Sequence, residues 1–176
     1  SVAKVVEEGY EGAHGFWGSI LKAPIWTWIT RRPASGSHCR AFCRAVSDVS
    51  GGAKGLIRYI TLAPEHDPDH RLTRYCASNG VAVSMGHSSA SYEKALLGIA
   101  NGATSMTHVY NGMTPYHHRN PGLVGTALRV RDIYGEVICD GCHSHLAALN
   151  NFFTAKGAIM PLWSATLSGP SIVLRG

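Results

Sequence analysis

The 176-residue sequence predicts an α/β fold of parallel β/α units, part of a TIM-type (β/α) barrel. Three observations predict it. From about Gly51 onward, short apolar runs alternate with segments of helical period. The apolar runs are short enough for strands and are bounded by Gly, Pro and polar residues. From Val81 onward, each run ends in a polar cluster that contains histidine. In a β/α barrel the carboxyl ends of the strands share one face, and active sites are built there.

The elements follow in order. Residues 1–10 read as a helix end. Residues 12–50 show no period; Trp17, Trp26 and Trp28 lie among Gly15, Gly18, Pro24, Pro33 and Gly36, and the segment reads as irregular. Leu56 to Leu62 is a buried strand ended by Ala63-Pro64. His70 to Ser78 is a helix. Val81 to Met85 is a second strand, stopped by Gly86. Tyr92, Ala95, Leu96 and Ile99 fall at i, i+3, i+4 and i+7, one face of a helix. Ser89 stands where a cap is needed, and Asn101-Gly102 ends the helix. Ala103 to Val109 is a third strand and Gly135 to Cys139 a fourth. Leu146, Leu149 and Phe153 give a last helix face, ending near Gly157.

Composition narrows the class. With 45% hydrophobic and 15% charged residues the chain is a globular protein rather than a disordered one. It has no apolar run of about 18 residues, so no transmembrane helix is expected. Ser1 to Glu8 lacks a signal-peptide layout. Five cysteines (Cys39, Cys43, Cys76, Cys139 and Cys142) make an odd count without framework spacing, which suits a reducing, cytoplasmic setting. The net charge of +5 is unevenly spread. Residues 12–47 hold no Asp or Glu but carry Lys22, Arg31, Arg32, Arg40 and Arg44, and residues 141–176 hold no acid either. No aromatic-basic motif accompanies these charges, so neither nucleic acid nor a membrane is the expected partner.

The polar clusters carry the chemistry. They are Gly86-His87-Ser88-Ser89, then Thr107 to Met113 with His108, then Cys139 to His145 with His143. A histidine after a strand is commonly a turn or cap residue. Three in succession, at adjacent strand ends, aim three imidazoles into one mouth, where ring nitrogens can share a divalent metal at about 2.0–2.1 Å each for zinc. His117-His118-Arg119 reads as a solvated turn or as a phosphate anchor, since an Arg fork suits phosphate oxygens. Cys139-Asp140-Gly141-Cys142 is a single C-x-x-C with no second pair, and reads as buried thiols.

Together these residues resemble the N-acetylglucosamine-6-phosphate deacetylase family of the amidohydrolase superfamily of metal-dependent barrels. The resemblance is carried by Thr61-Leu62-Ala63-Pro64-Glu65, Gly86 to Tyr92, Thr107 to Met113, His117 to Gly122, Asp140-Gly141-Cys142-His143 and Ala147 to Asn151. It covers about 51–157. It implies one divalent metal, zinc first and iron or another divalent ion otherwise, with His87 and His108 as ligands. It implies that Asn111, Gly112 and Arg119 hold the sugar phosphate and that His143 contacts the acetyl carbonyl. It further implies a small-molecule sugar phosphate as partner, release of acetate to give glucosamine 6-phosphate, and a homo-oligomer.

Two departures divide the chain into 1–50, 51–157 and 158–176. The family carries a His-x-Glu-Gly-Pro motif before the Thr-Leu-Ala-Pro-Glu strand, its Glu a metal ligand, and a catalytic Asp after an apolar strand near the end. Neither acid stands in this text; the second place reads Ala158 to Thr166, with Pro161 inside it. If each codon takes the last base of one triplet and the first two of the next, Phe16 to Ile25 can encode Leu-Gly-Val-His-Leu-Glu-Gly-Pro-Tyr. The same slide over Met160 to Leu167 can encode Ala-Ala-Met-Val-Ser-Asp-Ser. Residues 12–50 and those from about 158 on therefore read as frame-shifted text. The alternative is a catalytically dead fragment of that family, retaining only weak metal or sugar-phosphate binding.

Overall fold

The computed structural model describes residues 19–21, 57–157, 162–166 and 169–174, with side chains described over 58–157. The expected helix end at 1–10 lies outside the described residues. Strands β1 (Ser19–Leu21), β2 (Ile57–Leu62), β3 (Ala82–Met85), β4 (Ala103–Met106) and β5 (Tyr134–Ile138) pair in sequence order, all parallel. Helices α1 (Arg71–Ser78), α2 (Tyr92–Ala100), α3 (Gly122–Arg129) and α4 (Leu146–Lys156) alternate with them. This is the predicted α/β alternation of a partial barrel. Among the described residues no helix is long and apolar enough to cross a membrane.

Both outer segments add strands to the sheet. Ser19–Leu21, inside the stretch read as irregular, is a strand parallel to β2. Beyond α4, β6 (Leu162–Thr166) and β7 (Gly169–Leu174) form a hairpin, and β7 runs antiparallel to β5. The sheet order is thus β1-β2-β3-β4-β5-β7-β6. Pro161, expected to disturb a strand, lies outside the described residues.

Alternation along the strands gives the sheet two unlike faces. Ile60, Val83, Met85, Met106 and Val137 pack with Leu72, Cys76, Ala95, Leu123, Val124, Leu149 and Phe152 of the helices in one apolar cluster. The helix faces are not quite those predicted. On α2 the buried residues are Ala95 and Gly98, while Leu96 and Leu97 are exposed. A Cβ on Gly98 would stand 2.7 Å from the Met85 sulfur, so this glycine lets α2 close on β3. On α4 the buried residues are Leu149, Phe152 and Lys156, and Leu146 is 70% exposed. Ser91, not Ser89, caps α2, its hydroxyl accepting from the Lys94 amide at 3.4 Å. Helix α3 had no sequence signal. Six of its eight residues are buried, Gly122 to Ala127, so it shows no polar stripe. Strand β4 ends at Met106, three residues short of the expected Val109.

The other face is polar and buried. Thr107 Oγ1 lies 2.7 Å from Ser84 Oγ, 3.0 Å from Thr61 Oγ1 and 3.4 Å from Tyr59 Oη. Tyr59 donates to Glu136 Oε1 at 2.5 Å and accepts from Ser105 Oγ at 3.2 Å. Burial and the neighbouring Glu136 carboxylate push the Tyr59 phenol well above its usual range. Hydroxyls from β2 and β3, and from β4 and its first loop residue, are thereby tied to the carboxylate on β5.

Two tests follow from this packing. Thr107→Val keeps the shape but removes the oxygen that Thr61 and Ser84 share, leaving buried hydroxyls short of a partner. A loss of about 1–3 kcal/mol in urea unfolding is expected; an unchanged midpoint would show that the network carries no weight. Lys156, buried on α4, donates to the Val130 and Ile133 carbonyls at 2.7 and 2.6 Å. Burial lowers its pKa from 10.5 to about 8, against the opposing pull of Asp132. Between those values the unfolded chain holds the lysine proton and the folded chain does not, so stability rises with pH across that window. Lys156→Met should remove this part of the slope in urea titrations at pH 8 to 10.5.

Candidate functional site

The loops that follow β2, β3, β4 and β5 meet at one end of the parallel sheet. Gly86 makes the approach possible: a Cβ there would press on Thr107 and Thr61, each at 3.2 Å. The ladder continues past the strands, with Gly86 N donating to Leu62 O at 3.1 Å and Thr107 N to Met85 O at 2.9 Å. The next residues, His87 and His108, both adopt left-handed backbone, φ 50° and 35°. Such residues cost about 1–3 kcal/mol each and persist only where their surroundings hold them.

The strain brings two imidazoles together. His87 Nε2 and His108 Nε2 lie 2.7 Å apart, with ring centroids 4.4 Å apart in an edge-to-face arrangement. Burial, then the neighbouring His108, lowers the His87 pKa to about 4, which keeps its ring neutral near pH 7. Gly112 backs the pair. Its φ is +63°, and a Cβ would stand 2.8 Å from His87 Nδ1.

Glu65, quoted in the Thr61–Glu65 motif but given no role from sequence, fixes the loop that carries His87. It accepts from Ser88 Oγ at 2.5 Å and from Ser89 N at 2.7 Å. Ser88 O in turn accepts from Thr114 N at 3.3 Å. This is why Ser89 is not the cap of α2: its amide and hydroxyl both serve Glu65.

His143, the third strand-end imidazole, is engaged elsewhere. Its Nδ1 lies 2.6 Å from Asp140 Oδ2, while Asp140 Oδ1 accepts from the Cys142 and His143 amides at 2.9 Å each. The expected trio is thus a pair, His87 with His108, and a separate His143–Asp140 couple. Among the described residues no three His, Cys, Asp or Glu side chains cluster. Asn111 Nδ2 donates to the buried Ser144 Oγ at 3.2 Å, linking the β4 and β5 loops. Arg119 is exposed beside His117 and His118, whose rings meet at a tilt of 37°, and its amide donates to His117 Nδ1 at 3.2 Å. Cys139 is half-buried and Cys142 exposed, so the C-x-x-C is not a pair of buried thiols; among the described cysteines the buried one is Cys76.

The His87–His108 pair suits a divalent metal. Two imidazole nitrogens converge from adjacent strand ends, with Gly112 behind the His87 ring and both residues held on left-handed backbone. They would supply two ligands of a set.

No protein-family model matches the chain. It is 47% identical over 108 residues to the N-acetylglucosamine-6-phosphate deacetylase of Bacillus subtilis, covering 60% of this chain and 27% of that protein. To the enzyme of the same name from Danio rerio it is 38% identical over 160 residues, 83% of this chain and 38% of the relative. For Vibrio furnissii the figures are 33% over 166 residues, 92% and 40%. The chain therefore spans well under half the length of these relatives. Among solved structures, a variant of the Mycobacterium smegmatis N-acetyl-D-glucosamine-6-phosphate deacetylase in complex with N-acetyl-D-glucosamine 6-phosphate superposes with a TM-score of 0.73. That match has 26% identity and covers 89% of this chain and 40% of that one. The Pasteurella multocida enzyme gives a TM-score of 0.66 at the same identity and coverage. Identities of 33% to 47% over 108 to 166 residues reflect common descent with the N-acetylglucosamine-6-phosphate deacetylases over the part of their length that the chain covers.

Proposed function

We propose that this chain is the metal-binding portion of a hydrolase that deacetylates N-acetylglucosamine 6-phosphate, with water, to acetate and glucosamine 6-phosphate in amino-sugar catabolism. The observation that carries this reading is the convergence of His87 and His108, Nε2 to Nε2 at 2.7 Å, at adjacent strand ends of a chain with deacetylase relatives. His87 and His108 hold one divalent ion, zinc first and iron or another divalent ion otherwise. Such an ion would supply Lewis acidity at the acetamide. His143 contacts the acetyl carbonyl. Asn111, Gly112 and Arg119 bind the phosphate; the exposure of Arg119 on its loop supports a role as a charge-assisted clamp. Gly112 also serves as the backing of His87. We place the activity in the cytoplasm, on a small sugar phosphate, in a homo-oligomer.

The same reading includes the frame-shifted segments. Strand β1, parallel to β2, falls inside Phe16 to Ile25, the stretch whose shifted reading contains His-Leu-Glu-Gly-Pro. That supports a native barrel strand in this position. The nucleotide sequence of the gene tests it directly: codons incompatible with the shifted peptide would end the idea.

Two measurements test the function. Zinc uptake, followed by equilibrium dialysis and metal analysis, should be lost in the His87→Ala, His108→Ala double variant. One tightly held zinc per chain in that variant would overturn the ligand assignment. Arg119→Ala should weaken binding of N-acetylglucosamine 6-phosphate roughly ten- to a hundredfold, the loss of a charge-assisted pair of about 1.5–3 kcal/mol. Calorimetry with N-acetylglucosamine itself should show almost no change, and equal losses for both sugars would remove the phosphate role.

A further inference from the structure

The loop after β5 holds two histidines whose Nδ1 atoms meet opposite partners. His145 Nδ1 accepts the Ala147 amide proton at 3.1 Å, so when neutral this ring carries its own proton on Nε2. His143 Nδ1 faces a carboxylate oxygen, Asp140 Oδ2, at 2.6 Å. An ionised carboxylate only accepts, so Nδ1 must be the protonated atom of His143.

The carboxylate is itself fixed. Asp140 Oδ1 accepts from two successive backbone amides, Cys142 and His143, each at 2.9 Å. Those amides and the imidazole hold the acid near pKa 2, the His143 amide contributing most. Asp140-Gly141 closes the turn, with Gly141 at φ +74°. One oxygen is thus tied to the backbone and the other is left for the ring, a geometry that sets both tilt and tautomer.

We propose that Asp140 is the positioning residue of His143: its carboxylate accepts the hydrogen bond of Nδ1–H, keeps the ring proton on that atom and leaves Nε2 as the nitrogen offered to substrate. The proposal rests on the deacetylase reading for what the ring meets, though not for the tautomer. A neutral ring held this way presents Nε2 as an acceptor, to a hydroxyl, an amide N–H or water. It donates to a carbonyl oxygen from Nε2 only when it carries a second proton. Oxygen partners of metal-bound histidines fix the ring in the same way, and their removal there costs about 10–100-fold in metal affinity or activity.

Long-range proton–nitrogen NMR of the 15N-labelled chain at about pH 8, where an unperturbed imidazole is neutral, reads each ring directly. His143→Gln assigns its signals, and His145 serves as the internal opposite. In the unaltered chain His143 should show a pyrrole-type Nδ1 and a pyridine-type Nε2, and His145 the reverse. In Asp140→Ala the His143 pattern should move towards Nε2–H. Asp140→Asn, whose side-chain oxygen can still hold the turn, should do likewise and serves if the alanine variant does not fold. A pyridine-type Nδ1 in the unaltered chain overturns the proposal with no variant needed, as does a pattern unchanged in both variants. Addition of N-acetylglucosamine 6-phosphate should perturb His143 Nε2. If it does not while the tautomer responds to Asp140, the positioning role stands and the sugar-phosphate reading fails.

Discussion

Much of the site end hangs from Thr107 Oγ1. Three hydroxyls from β2 and β3, those of Tyr59, Thr61 and Ser84, converge on it, and the residue that follows it is His108. A hydroxyl has one proton and two lone pairs, so this atom is near its full bonding capacity. Because it is buried, those bonds replace the ones it made to water in the unfolded chain, and losing one would leave a desolvation penalty uncompensated. The result is a fixed lateral position for the first residue of the β4 loop. Val109, two residues on, is held by its amide at 2.7 Å from Glu136 O. His108 sits between these two anchors, and its left-handed φ is a strain that the anchors can sustain.

The polar face also explains why the site lies where it does. Barrel interiors are usually filled with branched apolar side chains. Here Tyr59, Thr61, Ser84, Ser105 and Glu136 line the face away from the helices, and they form a connected network. Such a network tolerates polar groups at the strand ends without a sharp change of environment. It also demands complete satisfaction, because a half-bonded network costs more than an apolar one. The apolar work is left to the other face, where Gly98 and Gly135 bring α2 onto Met85 and α4 onto the sheet through Phe152.

The strands and the histidine pair were legible because both depend on local pattern. A run such as Ile57–Leu62, paired on both sides, carries its own signature, and a histidine just past a strand marks its end. Helix α3 was not legible, because burial on nearly every side erases the period by which helices are recognised, and Gly122 and Gly125 lower its propensity. Faces of α2 and α4 were misread for a related reason. Leu96 and Leu146 are apolar but exposed, while glycine and the lysine stem occupy the buried stripe. Roles decided by contacts between distant loops left no trace in spacing. Glu65 reaches Ser88 and Ser89 across more than twenty residues, and this diverted Ser89 from the cap that Ser91 supplies instead.

Asp140 shows the opposite case, a signal present in the sequence but ambiguous in sign. Asp-Gly after a strand is a turn dipeptide, and an aspartate there bonds its own backbone two residues on. The turn alone would use only one oxygen. What makes the residue more than a turn former is His143 at i+3, close enough for the second oxygen to reach the ring while the first stays on the amides. Replacing Gly141 by a residue that resists positive φ would disturb the turn before the imidazole, so the two functions are mechanically in series. The His87–His108 pair is built the other way. Its rings meet each other directly, and their support comes from Gly112, from Glu65 through the β3 loop, and from Thr107 beneath. One sheet end thus holds two unlike imidazole settings, a mutual pair and a ring tied to a carboxylate. Glu65 itself is engaged through both its oxygens by Ser88 and Ser89.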